Sequence, residues 1–156
     1  MGHIYDAAKQ FMIDDDWPYV ELQKLSAIKT GFEGKSARWD CFARPIDEDS
    51  QLLFYSLCPV PVPKERRKDV MEYITRANYG LRMGNFEMNL DDGEVRYKTS
   101  LDVESSSPDQ DLIRQIFYAN VLMMDQYLPG LLAVIYGSAN PLRALADVEE
   151  LPEALA

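Results

Sequence analysis

The chain has 156 residues, 47% of them hydrophobic and 27% charged, enough for one globular domain with a substantial core and too apolar for a disordered segment. Its 16 basic and 26 acidic residues give a formal net charge of −10, a balance that repels a phosphate backbone and sets nucleic acid aside as the main ligand. Only two cysteines are present, no basic stretch precedes an apolar leader, and the apolar run from Leu128 to Tyr136 is too short for a bilayer, so a soluble, reduced, cytoplasmic protein with no membrane partner is expected.

In chain order, Ile4, Ala7, Ala8, Phe11 and Met12 recur at helical spacing and predict a short amphipathic helix over His3 to Met12. Asp14-Asp15-Asp16 then places three like charges where the helix dipole disfavours them, and Trp17-Pro18 redirects the chain. A solvated loop is the preferred reading of the three acids, because a calcium site needs about six oxygen ligands at alternating positions. Three strands follow, Leu22 to Phe32, Ala37 to Arg44 and Gln51 to Cys58, with turn chemistry at Gly31 to Lys35 and at Pro45 to Asp49. The third strand is apolar on both sides and is therefore central or part of an interface, which makes Leu53, Tyr55 and Leu57 candidate partner-binding residues. A hairpin closed near Asp47 puts Cys58 opposite about residue 37, so Cys41 and Cys58 are read as buried free thiols.

Pro59-Val60-Pro61-Val62-Pro63 is a stiff connector without a ladder of amide donors. The helix after it, from about Lys64 to Asn78, buries Val70, Met71, Ile74 and Ala77 and opens with Lys64, Arg66, Arg67 and Lys68 against Glu65 alone. Cations at a helix N-terminus oppose the dipole; they form either a solvated face neutralised by the protein's own carboxylates or, at Arg66 and Arg67, a partner contact.

From Asn85 to Val103 two segments of period two flank Asp92-Gly93, a type I′ hairpin sequence. A two-residue loop places Leu90 opposite Val95, Met88 opposite Tyr97 and Glu87 opposite Lys98. Ser107, Pro108, Asp109 and Gln110 form a capping box for a helix whose wide apolar face includes Ile113, Phe117 and Met124 and runs to about Leu128. Phe117 and Met124 are its candidate partner-binding residues. Pro129-Gly130 kinks or restarts the helix before Gly137. Asn140-Pro141 then caps a short helix with Leu142, Leu145 and Val148, so that residues 1–148 form one domain and 149–156 an acidic tail.

The predicted order is α-β-β-β-α-β-β-α, an α+β fold with helices packed on an antiparallel sheet of about five strands. The segment from Val60 to Gly137 resembles the YbjN family, on Pro63-Lys64-Glu65-Arg66-Arg67, Asn78-Tyr79-Gly80, Gly84-Asn85-Phe86-Glu87, Asp92-Gly93-Glu94-Val95-Arg96-Tyr97, Ala119-Asn120, Asp125-Gln126-Tyr127, Pro129 and Ala133-Val134-Ile135-Tyr136-Gly137. The resemblance implies a fold similar to the small acidic dimeric chaperones of type III secretion, and a part in regulating sensory transduction.

The residue inventory argues against an enzyme. The single histidine is His3, and no CxxC, HExxH, GxxxxGK[ST] or GxGxxG is present, so no cofactor, metal or catalytic residue is assigned. A carboxylate pair doing acid or base work, or a small-ligand site, are the alternatives. The expected function is a chaperone-like homodimer that holds an unidentified protein or peptide client. Its surplus apolar surface would lie on the strand from Leu52 to Cys58 and on the helix from Leu112 to Leu128, and its acidity would disfavour acidic clients.

Overall fold

Six strands rather than five make up the sheet in the computed structural model, which describes residues 2–104 and 108–149. The elements are α1 (His3–Asp14), β1 (Val20–Leu22), β2 (Ala27–Glu33), β3 (Arg38–Ile46), β4 (Gln51–Leu57), α2 (Arg67–Gly80), β5 (Asn85–Met88), β6 (Val95–Asp102), α3 (Gln110–Tyr136) and α4 (Pro141–Glu149). The extra strand arises at Ser26, whose left-handed backbone (φ 48°) after a single 3-10 turn folds β1 back on β2. The sheet order is β1-β2-β3-β4-β6-β5 and every neighbouring pair is antiparallel.

All four helices lie on one side. α1 and α3 cover the central strands, α2 packs on β5 and α3, and α4 closes over α2 and α3. The core is aromatic where α1 and α3 meet the sheet: Phe117 stacks on Phe54 at 3.9 Å between centroids, with Phe11 edge-on at 4.9 Å and Trp17 at 5.6 Å. Such offset and edge contacts add to what burial of these large rings already contributes. The core cluster runs from Ile4 to Leu145, so one core includes residues of α4, and the acidic tail from Glu150 onward lies outside the described residues.

Several local readings change. The hairpin closes through four residues, Leu90 to Gly93, not two: Met88 pairs with Val95 and Phe86 with Tyr97, a slip of two from the two-residue register. A slip of two keeps every side chain on its face, so Phe86, Val95 and Tyr97 are buried as the pattern required. Leu90 leaves the strand and is 56% exposed at the turn. The Asn89 and Asp92 carboxamide and carboxylate accept from the amides of Asp91 and Glu94, two local turns that outcompete the tighter loop. In α2 the buried tyrosine is Tyr73, while Met71 is 43% exposed.

The cap of α3 is Asp109, two residues later than the capping box suggested, with its carboxylate accepting from the Asp111 amide at 2.7 Å; Ser107 lies outside the described residues. Nor does Pro129 end the helix, which continues to Tyr136. A proline inside a helix leaves the carbonyl four residues back without its donor. Here that carbonyl, on Asp125, accepts from the Ser36 hydroxyl at 3.2 Å, and the Asp125 carboxylate takes the amides of Lys35 and Ser36 at 3.0 Å each. Burial alone would raise the Asp125 pKa, but these donors outweigh it and hold the carboxyl below its ordinary value. The β2–β3 turn is thereby fastened to the helix at the place where the proline weakened it.

Both cysteines are buried and unbridged. The β3–β4 register sets Cys41 opposite Ser56, two residues from the alignment inferred from the turn. Burial pushes the Cys41 thiol up to about 12 and raises that of Cys58, so neither is a thiolate at neutral pH. A thiol reagent should therefore titrate two groups in denaturant and almost none in the native protein. Rapid native labelling, or a disulfide in non-reducing mass analysis, would contradict this.

Candidate functional site: the open face of the sheet

In an antiparallel sheet covered on one side, the other side ordinarily alternates to polar residues. Here it does not. The residues of β4 that point away from the helices are Leu53, Tyr55 and Leu57, and Phe42 lies directly opposite Tyr55 on β3. Their neighbours on the flanking strands are Ala27 on β2, Leu22 on β1, and Arg96, Lys98 and Ser100 on β6. β4 was read as two-sidedly apolar from its sequence; one side is the core, and the other is this face.

Leu25, Ala27, Phe42, Arg44, Tyr55, Leu57, Glu94 and Arg96 line a trough of about 420 Å³ that crosses β2, β3, β4 and β6 obliquely. Tyr55 is only 7% exposed because the Arg96 guanidinium lies over its ring, 4.2 Å from the centroid. Arg96 is steadied in turn by Glu87, which accepts from Arg96 Nε and Lys98 Nζ at 2.8 Å each. Burial would raise the Glu87 pKa, but the two cations reverse the shift and keep its carboxyl ionised below the usual range. At the other margin Lys29 faces Asp40 at 3.6 Å. The face is an apolar floor with charged sides.

The other sequence candidates go elsewhere. Phe117 and Met124 are fully buried, so they are core residues and offer a partner nothing; most of the apolar face of α3 packs on the sheet and the neighbouring helices, with Leu112 left at its exposed end. The cationic cluster at the start of α2 divides: Lys64 and Lys68 are exposed, while Arg66 and Arg67 are half-buried and engage the chain's own backbone and carboxylates. Arg66 Nε donates to the Val134 carbonyl at 2.9 Å while its Nη1 meets Asp69 at 2.9 Å. Arg67 donates to the carbonyls of Val62 and Leu90 at 3.0 Å each, bracing the proline connector and the hairpin turn. Leu53, Tyr55 and Leu57 alone are brought together on one surface. Sequence reasoning missed Phe42, Arg44 and Arg96, although Phe42 is one of the alternating positions of a strand it had marked.

Of the three acids at the end of α1, Asp14 and Asp16 are exposed, as the solvated reading has them, but Asp15 is engaged. The Asp15 carboxylate accepts from Tyr118 Oη at 2.6 Å, Trp17 Nε1 at 2.9 Å and Arg114 Nη1 at 2.8 Å, and these bonds, the tyrosine's foremost, hold its pKa down. Among the described residues no group of three or more His, Cys, Asp or Glu side chains could hold a metal ion, and no helix is long and apolar enough to cross a membrane. Asp92 and Glu94 share a hollow of about 250 Å³ with Cys58 and the proline connector, but both carboxylates are exposed.

The YbjN family, described as "putative bacterial sensory transduction regulator", matches residues 6–133, from α1 through most of α3. The match extends the resemblance seen over residues 60–137 back through the first four strands and leaves α4 outside. A comparison with curated proteins gave no match. Among solved structures the chain is similar to the crystal structure of YbjN from E. coli, "a putative transcription regulator", with a TM-score of 0.57 and 14% identity over 78% of this chain and 89% of that one. At that identity the likeness carries the fold alone. Because the family match spans most of the sequence, the chain belongs to the YbjN family.

Proposed function

We propose that the protein is a non-enzymatic, chaperone-like regulatory module that acts as a homodimer and holds an apolar segment of a polypeptide client on the open face of its sheet. The observation that carries this reading is the row of Phe42, Leu53, Tyr55 and Leu57 on the face that the helices leave uncovered, where solvent ordinarily selects polar residues. The family's description as a regulator agrees with a binding role rather than with chemistry.

For the twofold contact we assign a different surface. Met71, Thr75 and Tyr79 recur every fourth residue along the outer side of α2, and Tyr79 is 97% and Met71 43% exposed. Two copies packed through this stripe would bury it isologously and leave both sheet faces free.

One method separates the two surfaces. A photo-crosslinking residue in place of Leu53 should capture a foreign polypeptide from native cytoplasm, whereas one in place of Tyr79 should link two copies of the chain. Light scattering at micromolar concentration should return about twice the chain mass of 17.9 kDa, falling to the single mass in Met71→Arg/Tyr79→Arg. Cross-links from Leu53 no more frequent than from exposed Gln115 on α3 would overturn the client face, and a monomer at every concentration would overturn the dimer.

A further inference from the structure

We infer that the trough takes an amphipathic helix whose apolar stripe is flanked by carboxylates. This deepens the proposal above and rests on the open face being the client's seat. Three observations lead to it.

The first concerns backbone. β2, β3, β4 and β6 are all interior strands, hydrogen-bonded to a neighbour on each side, so the floor of the trough presents side chains and no free ladder groups. An extended segment laid there would leave its own amides and carbonyls without partners, whereas a helix satisfies its backbone internally and needs only an apolar floor. The second is size. Four strands at a spacing of about 4.8 Å make a floor about 14 Å across, which two to three helical turns of about 5.4 Å span.

The third is charge. Two arginines line the trough against the single carboxylate of Glu94, in a chain whose net charge is −10. Arg96 is occupied by Glu87 and Tyr55, but the Arg44 side chain is exposed beside Leu53 and engages in none of the side-chain hydrogen bonds or ion pairs among the described residues. An unpaired guanidinium at the edge of an apolar floor is a fork waiting for a carboxylate, and its planar donors favour that group geometrically. The chain's overall acidity argued against acidic clients, but at this surface the Arg44 guanidinium has no ion-pair partner among the described residues, and a docked helix feels that near charge more than distant screened ones.

The test uses two fluorescein-labelled peptides of about 18 residues with the same leucine stripe, one flanked by Glu and the other by Lys, titrated by anisotropy against the full chain. The Glu peptide should bind about ten-fold tighter than the Lys peptide at low salt. Arg44→Glu, at an exposed position that leaves melting unchanged, should invert that order, and Leu53→Lys should abolish binding of both. Equal binding of the two peptides, both lost in Leu53→Lys, would overturn the charge selection while leaving the client face intact. Binding of neither would overturn the inference, and the cross-link from Leu53 then decides the client face separately. Tight binding of a labelled DNA duplex instead, or a chain dimer dispersed by Leu53→Lys, would place nucleic acid or a second copy in the trough and overturn it as well.

Discussion

Replacing Phe117 with alanine should destabilise the protein by about 3–5 kcal/mol and lower its melting temperature by roughly 6–20 °C. The ring is fully buried, stacked on Phe54 and met edge-on by Phe11 and Trp17, so its removal opens a cavity at the junction of α1, α3 and the sheet. Rigid β4 cannot collapse into that space without disturbing its ladders to β3 and β6. Leu53→Ser on the opposite face of the same strand should cost only about 1 kcal/mol, because that side chain is half-exposed and leaves no enclosed void. Denaturant titration of the two variants separates a core position from a binding position. Equal stability of Phe117→Ala and the parent would place Phe117 on a surface, contrary to the packing.

Gly93→Val should cost about 2–4 kcal/mol. Gly93 has a φ of +80°, a region that a β-branched residue enters only under strain. Space is missing too: a Cβ there would stand 2.3 Å from the Val62 carbonyl oxygen and 2.9 Å from the Val62 nitrogen, both backbone atoms that cannot swing aside. Those atoms belong to the connector that the hairpin grips, since Val62 N donates to the Gly93 carbonyl at 2.9 Å. The variant therefore strains the turn and loosens the connector together. Leu90→Ala, at the same turn but exposed, should stay within about 0.5 kcal/mol of the parent. A Gly93→Val protein that melts with the parent would show that the turn does not hold this conformation.

These two sites show what the sequence could and could not disclose. Period-two patterning around Asp92-Gly93 located the hairpin and its buried face correctly, because a face is fixed by parity. The loop length was missed, since it depends on whether Asn89 and Asp92 turn onto the backbone, and either loop preserves the same alternation. The two-sided character of β4 was equally plain, but which side becomes core is decided by where α3 docks, and periodicity does not encode docking. For the same reason Phe117 and Met124 read as surplus surface: an apolar helix face looks identical whether it meets a sheet or a partner.

Most of the motifs that carried the family resemblance build the fold, and only Glu94, Arg96 and its partner Glu87 among their residues reach the trough. The Asn78 side chain pairs with both backbone groups of Phe86, at 3.0 and 2.7 Å, and so finishes the outer edge of β5 as a strand would. Buried Asn120 donates to the carbonyls of Phe54 and Tyr97, tying α3 to two strands, and Tyr73 Oη reaches the Tyr127 carbonyl at 2.7 Å across Gly130, where a Cβ would collide with that hydroxyl. Arg66 and Arg67 brace backbone. Residues that do such work announce a fold to a reader of sequence, while Phe42 and Arg44, which shape the trough, belong to a strand whose pattern is shared by countless sheets.

The most direct test is to map a bound ligand onto the protein. With the isotopically labelled chain and the Glu-flanked peptide, amide and methyl resonances of Phe42, Arg44, Leu53, Tyr55 and Leu57 should shift in proportion to occupancy while those of α2 and α4 stay in place. Shifts confined to the outer surfaces of α2, α3 and α4, with the open sheet face silent, would contradict the account.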